Sequence, residues 1–554
     1  MPLPRFTRAA VTLPLAAVMA CAGTGPTPAP SPEPGSPAAR ALPLPPVPEV
    51  DGPLAVRVVY PRAESVVSSR DSNFIFGSIG SGRATLTING VPARVWPNGA
   101  FLAFVVNPPG DAPRYDLVAS RGADTARLTH AIRYPDRTVA AVPPDSAAAA
   151  AKPDTLPTSR ADTIAALNGR LDSLRLQLTR DDPIGWVQLG QPAAAADTDR
   201  VIVGRPLAGG TYKWFFTPGT VVPLLSRGAG GVARVRLDRD LDVYVDSADA
   251  TDLPADTPAP RRVASNMRVR GAPLGVDLII PIGPRAPYFV EENDRSIVLT
   301  LYGVRANTDI INFAAQDSMV RTVEWVQESS ERARITVNLR AAPFGYLVFW
   351  ENNALVLRLR GRPAIDARSP LAGLIIAVDA GHPPGGATGP TGLWEPQATL
   401  PISMHLKRLL EERGASVLMT RTTDSAVALG DRPMVARRAN VHAFVSIHLN
   451  AYPDGVNPFV APGTGTYYFR NHSEPLAREV QRGMVPQLGL MDLGVNYNNL
   501  AVVRGTWYPA VLCEGAFMML PDQEAALRTP EYQERYARGV ADGLESYFRG
   551  LPSR

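Results

Sequence analysis

The sequence predicts a multidomain chain. β-sandwich and β-barrel modules fill its first two thirds, and an α/β domain follows, with a mostly parallel sheet and helices on both faces. Two observations carry this. Short alternating strands broken by turn signals run to about residue 360, and beyond Leu371 strand and helix alternate, the rhythm of parallel sheets. The 554 residues also exceed what one domain of roughly 100–200 residues accounts for. With 45% hydrophobic and 19% charged residues, cores can form, which excludes a wholly disordered chain. The net charge of +4 has no basic block behind it and excludes nucleic acid as a partner.

In chain order, residues 1–20 read as a signal peptide, because Arg5 and Arg8 precede an apolar run, 9–20, too short to span a bilayer. Val18-Met19-Ala20-Cys21 resembles a bacterial lipobox, which implies lipidation of Cys21 and a periplasmic, membrane-anchored protein of the cell envelope. Residues 21–52 form a proline-rich linker, expected to be extended and semi-rigid. Residues 53–137 read as an immunoglobulin-like sandwich, with hairpin signals at Asn89-Gly90 and Asn98-Gly99. Residues 138–183 combine a linker with an amphipathic helix marked by Ile164, Leu167, Leu171, Leu174 and Leu178. Residues 184–260 fit a small SH3-like β module. Residues 262–363 resemble, in strand pattern and position, the AMIN sandwiches that precede many periplasmic amidases. Cys513, the only cysteine besides Cys21, falls inside an apolar strand, so no internal disulfide is expected and the cores alone hold the fold.

Residues 371–550 carry the chemistry. Strands are expected at 374–378, 416–419, 443–447, 465–469 and 510–513, and helices near 396–413, 431–441, 474–487 and 522–548. Ligands of such sheets gather beyond the carboxyl ends of the strands. His382 and His448 emerge at that rim, Glu395 opens the helix after the loop Gly381 to Gly392, and Glu514 ends a late strand. Two histidines and a carboxylate with one open position make a catalytic zinc site, and a second carboxylate, Glu514, can accept a proton from water. His405, His442 and His472 read as structural. The residues Ala451 to Thr464 are rich in proline and glycine, hostile to a helix.

The segment from about Leu374 to Phe548 resembles the zinc-dependent N-acetylmuramoyl-L-alanine amidases. The matching elements are Val378-Asp379-Ala380-Gly381-His382, Gly389 to Glu395, Thr420 to Asp424, Leu429 to Arg432, Val445 to Ala451 and Pro509 to Phe517. The resemblance implies Zn2+ held by His382, Glu395 and His448, with Glu514 as catalytic acid/base and peptidoglycan as substrate. Arg421 and Asn450 are candidates for substrate contact. Some amidases of this family carry an occluding helical insertion after the second zinc histidine. The composition of Ala451 to Thr464 leaves no segment for one, so the site is expected to be open. The chain departs from the family pattern at Ala380, Pro383-Pro384, Arg437, His442 and Met518-Met519. The expected activity is hydrolysis of the amide between N-acetylmuramic acid and L-alanine, with the β modules positioning the enzyme on the wall or on an envelope protein. The alternatives are a catalytically silent peptidoglycan-binding module and a zinc hydrolase of another cell-wall amide.

Overall fold

The structure, a computed structural model, describes residues 41–110, 112–135, 182–190, 201–228, 230–314 and 319–552. The signal peptide, Cys21 and the apolar stripe 164–178 lie outside the described residues.

Between residues 57 and 131 two antiparallel sheets face each other. One joins Arg57–Tyr60, Ser72–Ser78 and Ala100–Val106; the other joins Val91–Ala93, Thr85–Ile88, Arg114–Arg121 and Asp124–Ala131. Ile75 and Phe101 from the first sheet meet Leu86, Tyr115 and Leu117 from the second in one buried core, the alternation a two-sheet fold requires. Asn89-Gly90 makes a two-residue hairpin with φ of 49° and 81°, both left-handed, which is why this pair suits it.

The next unit is a five-stranded antiparallel sheet, ordered Leu241–Asp246, Val232–Asp238, Thr220–Gly228, Gly185–Leu189 and Ala250–Asp252, over the ribbon Ile202–Gly204 and Trp214–Phe216. The third places a five-stranded sheet, which includes Gly275–Pro281 and Ala354–Arg360, over a four-stranded one built on Tyr288–Asn293, Ser296–Tyr302, Arg332–Leu339 and Val320–Ser329. A single apolar core lies between the two.

The last unit runs β1 (Ile375–Ala380), α1 (Glu395–Glu412), β2 (Ser416–Met419), α2 (Asp431–Arg438), β3 (Ala443–Asn450), β4 (Gly463–Tyr468), α3 (Glu474–Leu488), β5 (Met491–Tyr497), β6 (Ala510–Phe517), α4 (Pro521–Leu527) and α5 (Pro530–Arg549). The sheet order is β2-β1-β3-β6-β4-β5, with parallel neighbours except for β4 against β6. Alternate strand residues serve two cores. Ile376, Val378, Val445, Ile447, Val511 and Cys513 face α1, α3 and α5, while Ala377, Phe444, Ala510 and Leu512 face Ala436 of α2, Trp507 and Tyr508.

Three differences from the sequence reading have local causes. β5 was not expected, because its Asp, Gly and Asn content hides the strand period. The single helix expected near 522–548 is two, since Pro530 has no N–H to continue α4; Thr529 Oγ1 instead accepts the Tyr532 N–H at 3.3 Å to open α5. Helices do not cover both faces equally. The face with α2 is completed by the third module, whose Leu347 packs on that core and whose Arg360 donates to the carbonyls of Asn440, Val441 and Trp507 at 2.7–2.9 Å. Part of the stretch read as a linker, from residue 41 on, lies against the last unit. From there the chain is strapped across α3 and α5: the Leu42 N–H donates to Pro486 O at 3.0 Å, and Arg535 donates to the Leu42 and Pro43 carbonyls.

Candidate active site

Beyond β1 the chain turns at Gly381 and His382. A side-chain carbon at Gly381 would lie 2.6 Å from Ile447 O and 2.7 Å from the His448 ring, so only glycine lets β1 end this close to β3. His382 adopts φ 56°, rare for a residue with a side chain. Its Nδ1 stands 2.9 Å from Pro384 O. A carbonyl can only accept, so Nδ1 carries the proton and Nε2 presents a lone pair.

Glu395 is the first residue of α1, where the helix dipole favours an anion. It is 3% exposed, and both oxygens are oriented by backbone donors: Ala387 N–H to Oε2 at 2.9 Å and Leu449 N–H to Oε1 at 3.0 Å. His382 Nε2 lies 3.3 Å from Oε2, and His448 Nδ1 lies 3.3 Å from Oε1. One donor atom from each of the three residues lies within 4.8 Å of the others, close enough for the set to hold a metal ion. Burial pushes the Glu395 carboxyl up, but His448, His382 and the Ala387 N–H outweigh it and hold the group below the usual carboxylate range.

Glu514 on β6 sits directly opposite His448 on β3 in the parallel register. Its Oε2 is buried and has no hydrogen-bond partner among the described residues. Burial pushes the carboxyl up to about 8, with Glu395 adding to the rise and His448 opposing it. A carboxylate oxygen left open beside a two-histidine, one-carboxylate set is placed to exchange a proton with whatever occupies the cleft.

Residues 376–546 match the N-acetylmuramoyl-L-alanine amidase family. A sporulation-specific N-acetylmuramoyl-L-alanine amidase of Bacillus subtilis is 34% identical over 182 residues, 31% of this chain and 68% of the relative. A probable cell wall amidase, LytH of Staphylococcus epidermidis, is 32% identical over 212 residues, 37% of this chain and 67% of the relative. The uncharacterized protein YqiI of Bacillus subtilis is 33% identical over 208 residues, 36% of this chain and 98% of the relative.

The chain belongs to the N-acetylmuramoyl-L-alanine amidase family. All four residues that the sequence marks for the amidase site come together: His382, Glu395 and His448 as one donor set within 4.8 Å, and Glu514 beside it. Arg421, a candidate for substrate contact, faces the protein instead. It is 4% exposed and donates to the carbonyls of Ala380, Gly381, Pro396 and Thr423 and to Thr399 Oγ1, so it braces the loop behind His382. Asn450 ends β3, where its Oδ1 accepts the Ala451 N–H at 2.8 Å. The supporting shell was not assigned from sequence. Asp379, fully buried, accepts from Arg432 at 2.8 Å, Thr420 at 2.5 Å and Ser446 at 2.6 Å. Glu524 accepts from Thr391 N–H and Leu393 N–H, fixing the loop that leads into Glu395.

The expected structural histidines act at seams. His442 Nδ1 accepts the Ile375 N–H at 2.9 Å, and His472 pairs with Glu292 of the third module at 2.9 Å. His405 lies within α1. Cys513 is a free, buried thiol on the helix side of the sheet. No helix forms between Asn450 and Gly463. Among the described residues no helix is long and apolar enough to cross a membrane.

Proposed function

We propose that this amidase hydrolyses the amide between N-acetylmuramic acid and L-alanine in peptidoglycan, using zinc held by His382, Glu395 and His448. The observation that carries the reading is the unpartnered Oε2 of Glu514 beside a two-histidine, one-glutamate donor set gathered within 4.8 Å. Zinc bound there supplies Lewis-acid polarisation of a carbonyl and lowers the pKa of water. Glu514 Oε2 accepts a proton from the attacking water as its oxygen adds to the lactyl carbonyl carbon. The same carboxyl then delivers the proton to the L-alanine nitrogen as the C–N bond breaks. The Pro384 carbonyl keeps His382 in the tautomer whose Nε2 faces the donor set. The relative named a cell wall amidase supports a place in the envelope or outside the cell. Anchoring through a lipidated Cys21, a sandwich at 53–137, an SH3-like unit at 184–260 and an AMIN-like unit at 262–363 belong to the same proposal. An N-terminal fragment lacking lipid mass would remove the anchor from it.

Digestion of purified peptidoglycan by the full-length, zinc-loaded chain tests the reaction. Mass analysis is expected to find intact stem peptides with a free L-alanine amine, and glycan strands of unchanged length. Shortened stem peptides would instead indicate a hydrolase of another cell-wall amide.

A further inference from the structure

The first β module lines a cleft against the loops that flank the donor set. A space of about 640 Å³ lies between its strands and the two site loops, with Gly386, Ala387 and Ala451 on one side and Arg57, Tyr60 and Arg62 on the other. Ala387 is the residue whose N–H holds Glu395 Oε2, and Ala451 lies three residues after His448. The cleft therefore adjoins the two loops that flank the donor set.

The module is held there by a built contact. Asp454 accepts from Tyr60 Oη, from Ser68 N–H at 2.8 Å and from Asn73 Nδ2 at 3.1 Å, and the Gly455 N–H donates back to Asn73 Oδ1 at 3.0 Å. Beside it Tyr60, Phe74 and Phe76 stack with centroids 5.1 and 5.7 Å apart, in one apolar cluster with Met519 and with Phe517, itself stacked on Tyr452 at 4.4 Å. Met519 is one of the positions at which the sequence departs from its family, and here it is the floor of the module's seat.

The charge of this wall is one-sided. Among the described residues the guanidinium groups of Arg57 and Arg62 have no hydrogen bond or ion pair, and no carboxylate lines the cleft. The Arg57 guanidinium lies 3.7–3.8 Å from where a side-chain carbon on Gly392 would stand, against the loop that leads into Glu395. Peptidoglycan divides by charge: its glycan is built of hydroxyls and acetamides, whereas its stem peptide carries free carboxylates. Guanidinium groups recognise carboxylates through paired, charge-assisted hydrogen bonds.

We propose that the first β module is the second wall of the substrate cleft, and that Arg57 and Arg62 bind the carboxylates of the stem peptide. This rests on the amidase reading above. It makes the module a determinant of which stem chemistry is cut.

The test uses the full-length, zinc-loaded chain and two soluble muramyl-peptide substrates, one with free stem carboxylates and one with those carboxylates amidated. On the free substrate Arg57→Ala/Arg62→Ala is expected to raise KM about tenfold with kcat within about twofold, as suits charge-assisted contacts remote from the scissile bond. On the amidated substrate wild type and variant should coincide. Arg57→Lys/Arg62→Lys should recover part of the lost affinity for the free substrate. Equal losses on both substrates, or no loss on either, would overturn the proposal. Calorimetry of the stem peptide alone against Glu514→Gln, with and without the two alanine substitutions, separates this from the amidase reading. An affinity unchanged by the arginine substitutions sinks the cleft wall even if turnover is never seen, whereas a wild type inert on both substrates with arginine-dependent binding sinks only the reaction.

Discussion

At Glu514, an amide in place of the carboxylate keeps size and burial and removes the proton acceptor. Glu514→Gln is expected to retain bound metal and lose about 10²–10⁴-fold in kcat, the usual cost of deleting a general base. His382→Ala and His448→Ala are expected to lose metal and turnover together, as read by metal content alongside stem-peptide release. Normal turnover in Glu514→Gln would remove its assigned role. These four residues were legible in the sequence because each sits at the end of a strongly apolar strand or the start of a helix, where the sheet rule already places ligands. For Arg421 the sequence left substrate contact and a structural role equally open, for the opposite reason. A buried arginine donating to backbone carbonyls looks, in one sequence, like any arginine in a loop. Glu524 lies more than 130 residues from the loop it holds, so no local pattern announces it.

Among the elements, the loop between β3 and β4 has the greatest consequence for the cleft. Its proline and glycine content ruled out a helix in the sequence, and the structure agrees; what sequence could not supply is that the loop's Asp454 seats a module nearly 400 residues earlier. Asp454→Ala leaves the Ser68 N–H and Asn73 Nδ2 without their acceptor. At about 1–3 kcal/mol for such a loss, local opening of the seat should become about 5- to 150-fold more frequent. Hydrogen exchange of amides near Ser68 and Asn73 reads this directly, and unchanged protection there would show that the aromatic stack alone holds the module. The same contrast explains β5. It is an edge strand in which Asp492, Gly494 and Asn496 are polar or glycine, so its identity comes from pairing with β4 rather than from its own periodicity.

Across the whole molecule, the amidase sheet has a face that its own helices do not close. Leu347 and Arg360 of the third module complete it, and Glu292 of the same module holds His472. The long apolar runs of β1, β3 and β6 predicted burial on both faces, but not that a β-sandwich would supply one cover. His442 lies in this seam. Burial, with Arg360 nearby, lowers its pKa to about 4 from 6.5, and only the neutral ring can accept the Ile375 N–H. In the unfolded chain the same ring protonates near 6.5. Above that pH both states are neutral and the native contact contributes fully; as pH falls from 6.5 toward 4 the unfolded state gains a proton that the native state resists, so stability declines across this window. Thermal unfolding of the full-length chain between pH 7.5 and 4.5 should show that decline. His442→Gln, whose side-chain oxygen can still accept from Ile375 and does not titrate, should flatten the portion that His442 contributes. If the slope of Tm against pH is the same in both proteins, acid sensitivity arises elsewhere and the seam is not its source.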